Sequence, residues 1–176
     1  MVVLTQAQWR LAIKPVLTVL AALLLTVFST IAASQTPLLG YTLRDLNSAK
    51  NSVDLKQFEG TPVMFVFFEP DCPWCFKQVK ATNQVWPDCP ESFQPIAVGV
   101  HGNRSQLKKE AHRLRAQFPT LQASPELIND IGEIPGTPLI IFSDNSGNYT
   151  AHYRGFHNRE RLVQLLSDEG IACTEE

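Results

Sequence analysis

Cys72 and Cys75, separated by Pro73 and Trp74, are the residues of this chain whose types and spacing can do chemistry. A thiolate is the nucleophile in disulfide exchange, and a more acidic thiol both attacks and leaves more readily. Pro73 suits the first position of a helix, where its missing N–H costs nothing. Residues 74–80 then read as good helical sequence. Cys72 therefore falls at or just before a helix N-terminus, where the positive end of the helix dipole and free backbone N–H groups stabilise a thiolate. Cys75 lies one turn on, near enough to close a disulfide and less exposed. The division of labour this predicts is attack by Cys72 and resolution by Cys75. Trp74 presents a large apolar face at little entropy cost, suited to a substrate-facing surface. Two other readings of the pair are a zinc half-site and a structural bridge. Zinc normally needs a second pair of ligands. No second CxxC or HxxxH exists, and His101, His112, His152 and His157 form no ligand spacing with one another.

The elements that must position this pair follow from pattern. Residues 63–68, Val-Met-Phe-Val-Phe-Phe, are too few for an ordinary helix and rich in strand formers. They predict a buried central strand, ended by Pro70. Before it, residues 40–46 and 52–55 flank a turn-rich centre and read as a β-hairpin. The CxxC helix runs to about Trp86, where Pro87 stops it, and Cys89 follows in a loop. Residues 94–100 are the next strand. Residues 105–118 read as an amphipathic helix with Leu107, Ala111, Leu114 and Phe118 on one stripe. Ser124 caps a short helix opening at Pro125. Residues 138–142 and 149–154 are strands joined by a turn, and 158–167 is the closing helix.

The chain has 176 residues, four cysteines and a formal net charge of −2. That length supports one domain with a proper core. Near-neutral charge without a basic run gives no support for nucleic-acid binding. Residues 1–33 stand apart as an N-terminal membrane anchor or signal peptide. Arg10 and Lys14 precede 16–33, an uncharged stretch of roughly 18 residues that would reach about 27 Å as a helix, just enough to span a bilayer. The next Lys or Arg is Arg44. The positive-inside rule then places the N-terminus in the cytoplasm and the rest in the periplasm. The length favours an uncleaved inner-membrane anchor; Ala32-Ala33-Ser34 is the alternative, a cleavage site. On either reading the domain is exported to a compartment that permits disulfides. Residues 34–39 read as a tether and 40–176 as the domain.

The order hairpin, strand–CxxC–helix, strand–helix, strand–strand–helix resembles the thioredoxin fold, specifically the exported, membrane-tethered TlpA/ResA-type thiol–disulfide oxidoreductases. The residues that carry the likeness are Phe58-Glu59-Gly60-Thr61-Pro62, Cys72-Pro73-Trp74-Cys75, Ile134-Pro135-Gly136-Thr137-Pro138 and Gly155. The likeness implies an α/β fold with a central mixed sheet and helices on both faces. It implies a cis-proline at Pro138 facing the cysteine pair, with the backbone of Thr137 free to pair with an extended substrate. Thioredoxin's buried acid in the CxxC strand has Val66 at its position here. Glu69-Pro70 before a Cys-Pro-aromatic-Cys, and Thr137 before the proline, resemble the DsbC/DsbG isomerases. Those proteins carry a separate dimerisation domain for which 34–60 is too short. The active site thus resembles one branch and the scaffold another, favouring a reductase or isomerase over an oxidase. Glu69 is a candidate for proton transfer to Cys75, or else a solvated strand end.

The resemblance also implies that Cys89 and Cys173 follow two helices that run away from the active site on one face of the sheet. They are expected to form a structural disulfide closing a loop of about 84 residues, worth roughly 4–5 kcal/mol before strain. The functional expectation is an enzyme that exchanges disulfides with protein thiols, passes electrons to or from a membrane thiol-transfer partner, and needs no bound cofactor. Two alternatives use the same features. One is a module holding copper(I) or a similar soft metal between Cys72 and Cys75. The other is an assembly factor docking through the Thr137-Pro138 edge without turnover.

Overall fold

The computed structural model describes residues 37–48, 51–89 and 91–173. The anchor predicted over 16–33 lies outside these residues, and no described helix is long and apolar enough to cross a membrane. Seven strands form one mixed sheet: β1 (Thr42–Asp45), β2 (Ser52–Asp54), β3 (Val63–Phe68), β4 (Gln94–Gly99), β5 (Thr120–Gln122), β6 (Leu139–Ser143) and β7 (Tyr149–Arg154). Their spatial order is β2-β1-β5-β4-β3-β6-β7. β3 pairs parallel with β4 and antiparallel with β6. Among the described residues four α-helices accompany the sheet: α1 (Pro73–Val85), α2 (Arg104–Leu114), α3 (Pro125–Ile131) and α4 (Arg159–Asp168).

The apolar run of β3 is explained by two cores. Met64, Val66 and Phe68 pack with Val79 and Val85 of α1, Leu107 and Leu114 of α2, and Leu162 and Leu166 of α4. Val63, Phe65 and Phe67 point the other way, toward Leu39, Leu43, Leu55 and Leu127. A strand covered on both faces has no reason to alternate with polar residues. Truncating Phe67, 1% exposed, to Ala would cost about 3–5 kcal/mol.

Three sequence expectations need correction. The second helix ends at Leu114, not Phe118. Arg115 turns into the left-handed region (φ 53°). Asn83 of α1 holds that turn, its amide donating to Arg115 O and accepting from Gln117 N–H, each at 3.0 Å. Phe118 is still buried, against Trp86, but from the connection rather than the helix. Next, β5 was not expected at all. It joins β1 to β4, and so attaches the leading strands to the central sheet. Finally, the tether does not extend to residue 39. Leu38 and Leu39 are 7% and 1% exposed. The Leu38 N–H donates to Gly147 O at 2.7 Å. Gly147 has φ 82° and lies so close to Leu39 that a Cβ would fall 2.8 Å from its side chain. Burial of two leucines draws the segment onto the sheet.

Candidate active site

β3 delivers the chain to one end of the sheet, where residues 69–71 turn it into α1. Asp71 takes a left-handed conformation, φ 57°. Cys72 is the N-cap of α1, and its Sγ accepts from the Cys75 N–H at 3.0 Å. Pro73 occupies the first turn, as its missing donor allows. Cys72 and Cys75 are joined as a disulfide with Cα atoms 5.3 Å apart. Cys75 is fully buried, whereas Cys72 keeps 7% exposure. The two residues therefore differ in exposure as well as in their place on the helix.

The Thr137-Pro138 peptide bond is cis. Thr137 lies directly against Cys72: its carbonyl oxygen is 3.8 Å from Cys72 Sγ and its Oγ1 3.5 Å. Trp74 is 52% exposed. Its ring leans on Phe156, centroids 5.9 Å apart, and Lys77 Nζ sits 4.0 Å from its centroid. Phe156 is held there by its neighbour His157, whose backbone N–H donates to the buried Gln78 side chain of α1 at 2.8 Å. Burial, then the nearby Arg161, hold the His157 imidazole below its ordinary value.

Glu69 is bonded to His101 Nδ1 at 3.0 Å in a half-exposed pair. Among the described hydrogen bonds it joins neither cysteine. Two residues that sequence reasoning missed stand closer to the chemistry. Glu110, 3% exposed, projects from α2 and accepts from the Asp71 N–H at 3.3 Å. Arg113, one turn on, bonds Glu110 and donates through Nη2 to the Cys72 carbonyl at 3.0 Å. The bond with Glu110 is the main reason the Arg113 guanidinium holds its proton more tightly than usual. A signal existed: Glu110 completes the stripe Leu107, Ala111, Leu114 at helical spacing, so a carboxylate faces the core.

Cys89 and Cys173 are also joined as a disulfide, with Cα atoms 4.2 Å apart, near the C-terminal ends of α1 and α4. Among the described residues no three His, Cys, Asp or Glu side chains cluster to hold a metal ion.

A central strand feeding a CxxC helix, facing a cis-proline loop, defines a thioredoxin-like domain. The chain belongs to that family, whose match covers residues 50–169. It is similar to the thiol-disulfide oxidoreductases ResA of Bacillus thuringiensis subsp. konkukian and of Bacillus cereus. Each is 25% identical over 128 residues, 72% of this chain and 72% of the relative. Among solved structures it resembles a putative thiol:disulfide interchange protein DsbE from Chlorobium tepidum. The TM-score there is 0.65 at 17% identity, covering 78% of this chain and 97% of that one. A secreted Mycobacterium tuberculosis disulfide oxidoreductase homologous to E. coli DsbE gives a TM-score of 0.61 at 18% identity, covering 74% and 96%. At these identities the solved structures speak for the fold.

Proposed function

We propose that this chain is an exported thiol–disulfide oxidoreductase that exchanges disulfides with protein cysteines, working as a reductase or isomerase. The observation that carries the reading is Cys72 Sγ at the α1 N-cap, accepting the Cys75 N–H and lying against Thr137. A thiolate formed there gains a backbone donor and the positive helix end.

In the reductive direction the Cys72 thiolate attacks one sulfur of a substrate disulfide. A Cys72–substrate S–S bond forms, the substrate S–S bond breaks, and the leaving thiolate takes up a proton. Cys75 then loses its proton and attacks Cys72 Sγ. The Cys72–Cys75 bond closes and the second substrate thiol leaves with a proton. Two electrons have passed from the pair to the substrate. Isomerisation ends instead when another substrate thiol attacks the mixed disulfide. Thr137 and Pro138 line the substrate side, the Thr137 carbonyl meeting a backbone N–H of an extended segment. Pro73 and Trp74 supply the apolar floor.

Residues 16–33 anchor the domain, N-terminus in the cytoplasm, and a membrane thiol-transfer partner restores the reduced pair. Support for an envelope location comes from relatives described as secreted or, in Streptococcus pneumoniae, as an exposed lipoprotein. Trapping in cells with a Cys75→Ala variant is the test. Mixed disulfides on Cys72 with exported proteins are the expected catch. A variant that captures none, while wild type fails to reduce insulin or to unscramble ribonuclease, would refute the reading.

A further inference from the structure

Glu110 is a buried carboxylate on an otherwise apolar helix face, and its contacts all lead to the nucleophile. It accepts from the N–H of Asp71, immediately before Cys72, at 3.3 Å. It binds Arg113 through both oxygens, and Arg113 donates to the carbonyl of Cys72 itself at 3.0 Å. Helix α2 thus grips the backbone on both sides of Cys72. One grip falls on Asp71, which takes the left-handed conformation that few residues other than glycine adopt. A neutral Gln at 110 would make the same bond to Asp71. The charge therefore calls for its own explanation, because a buried carboxylate is unfavourable unless paired.

We infer that Glu110 and Arg113 are positioning residues for Cys72 and that their opposed charges set how readily its thiol ionises. This rests on the reading of Cys72 as the attacking thiol. The guanidinium stands beside the Cys72 backbone and favours the thiolate, while the Glu110 carboxylate opposes it and holds the guanidinium in place. Asp71 is exposed next to them and also acts on Arg113. Other ionisable groups at this end include the Glu69–His101 pair, Lys77 over Trp74, Arg154 at the end of β7, and His157, whose backbone N–H bonds Gln78 of α1.

The test is iodoacetamide alkylation of the reduced full chain across pH 6 to 9, with the modified cysteine identified by peptide mass. A one-unit change in thiol acidity alters the thiolate fraction about tenfold, and the opposing change in nucleophilicity returns about threefold, so the net effect is about threefold at pH 6. Glu110→Gln keeps the acceptor and leaves the guanidinium unopposed; Cys72 should react about threefold faster there. Arg113→Met should slow it by about as much, and Arg113→Lys should return it toward wild type. Should Arg113→Met fail to fold with Glu110 left unpaired, the Glu110→Gln/Arg113→Met double variant carries neither charge. It should then react more slowly than Glu110→Gln alone. Shifts of the same sign in both single variants, or none, would overturn the inference. Equal labelling of Cys72 and Cys75 in wild type would instead sink the reading beneath it.

Discussion

The molecule holds two disulfides in opposite settings. Cys72–Cys75 spans 3 positions of sequence and begins at a helix N-terminus. Cys89–Cys173 spans 84 and ties the loop after α1 to the tail after α4. Closing the short loop removes little freedom from an unfolded chain, whereas closing the long one removes a great deal. Around the first bond stand the Cys75 N–H, which donates to Cys72 Sγ, the helix N-terminus, and Arg113, which donates to the Cys72 carbonyl. The bond also opens beside exposed Trp74, Phe76 and Phe156. The second has one fully buried sulfur residue, Cys89, and follows helix ends of the opposite polarity. On the function proposed, one bond type serves as reagent or as staple according to loop length and helix end.

The sharpest way to break this comparison is to exchange the roles by mutation. Cys72→Ser should abolish insulin reduction, with thermal stability close to that of the reduced wild type. Cys89→Ser with Cys173→Ser should do the reverse. Denaturant unfolding should show a loss of about 3–4.5 kcal/mol, with exchange rates at 25 °C within about twofold of wild type. Loss of exchange in the second variant would show that the distal bond relays electrons, and the contrast would fall.

A smaller effect sharpens what surrounds the reactive bond. Trp74→Ala removes the exposed ring from the floor beside Cys72 and its contact with Phe156. With a protein substrate KM should rise about three- to tenfold, while reaction with a small disulfide such as oxidised glutathione hardly changes. Equal losses on both substrates would mean that Trp74 tunes the thiol rather than the docking.

The smallest effect expected is a pH dependence of stability. Burial first, and Arg161 second, lower the proton affinity of His157 below the ordinary value of 6.5. The unfolded chain then binds a proton that the folded chain resists. The contribution is fully present above pH 6.5 and is lost as pH falls through the lower folded value. His157→Gln should flatten the fall of the unfolding free energy as pH drops below 6.5 relative to wild type. An unchanged pH slope would show that His157 does not supply it.

What the sequence determined by itself was local. Val63 to Phe68 read as a buried central strand, Pro73 suited the first position of a helix, and that placed Cys72 at or just before its N-terminus. Ser124-Pro125 set the start of α3 in the same way. These signals survive because strand pattern, proline geometry and capping act within a few residues. The tertiary structure decided the rest. Asn83, from another helix, ends α2 four residues before the apolar stripe runs out. Thr120–Gln122 becomes a strand because β4 and β1 flank it, not because three residues carry a pattern. Leu38 and Leu39 join the domain because Gly147 leaves room for them. Glu110 and Arg113 lie some forty residues beyond the cysteines and reach them only through the packing of α2 beside the β3–α1 turn. A charge on a core-facing stripe could be read from the sequence; the atom it would meet could not, since long-range contacts are specified by the whole fold.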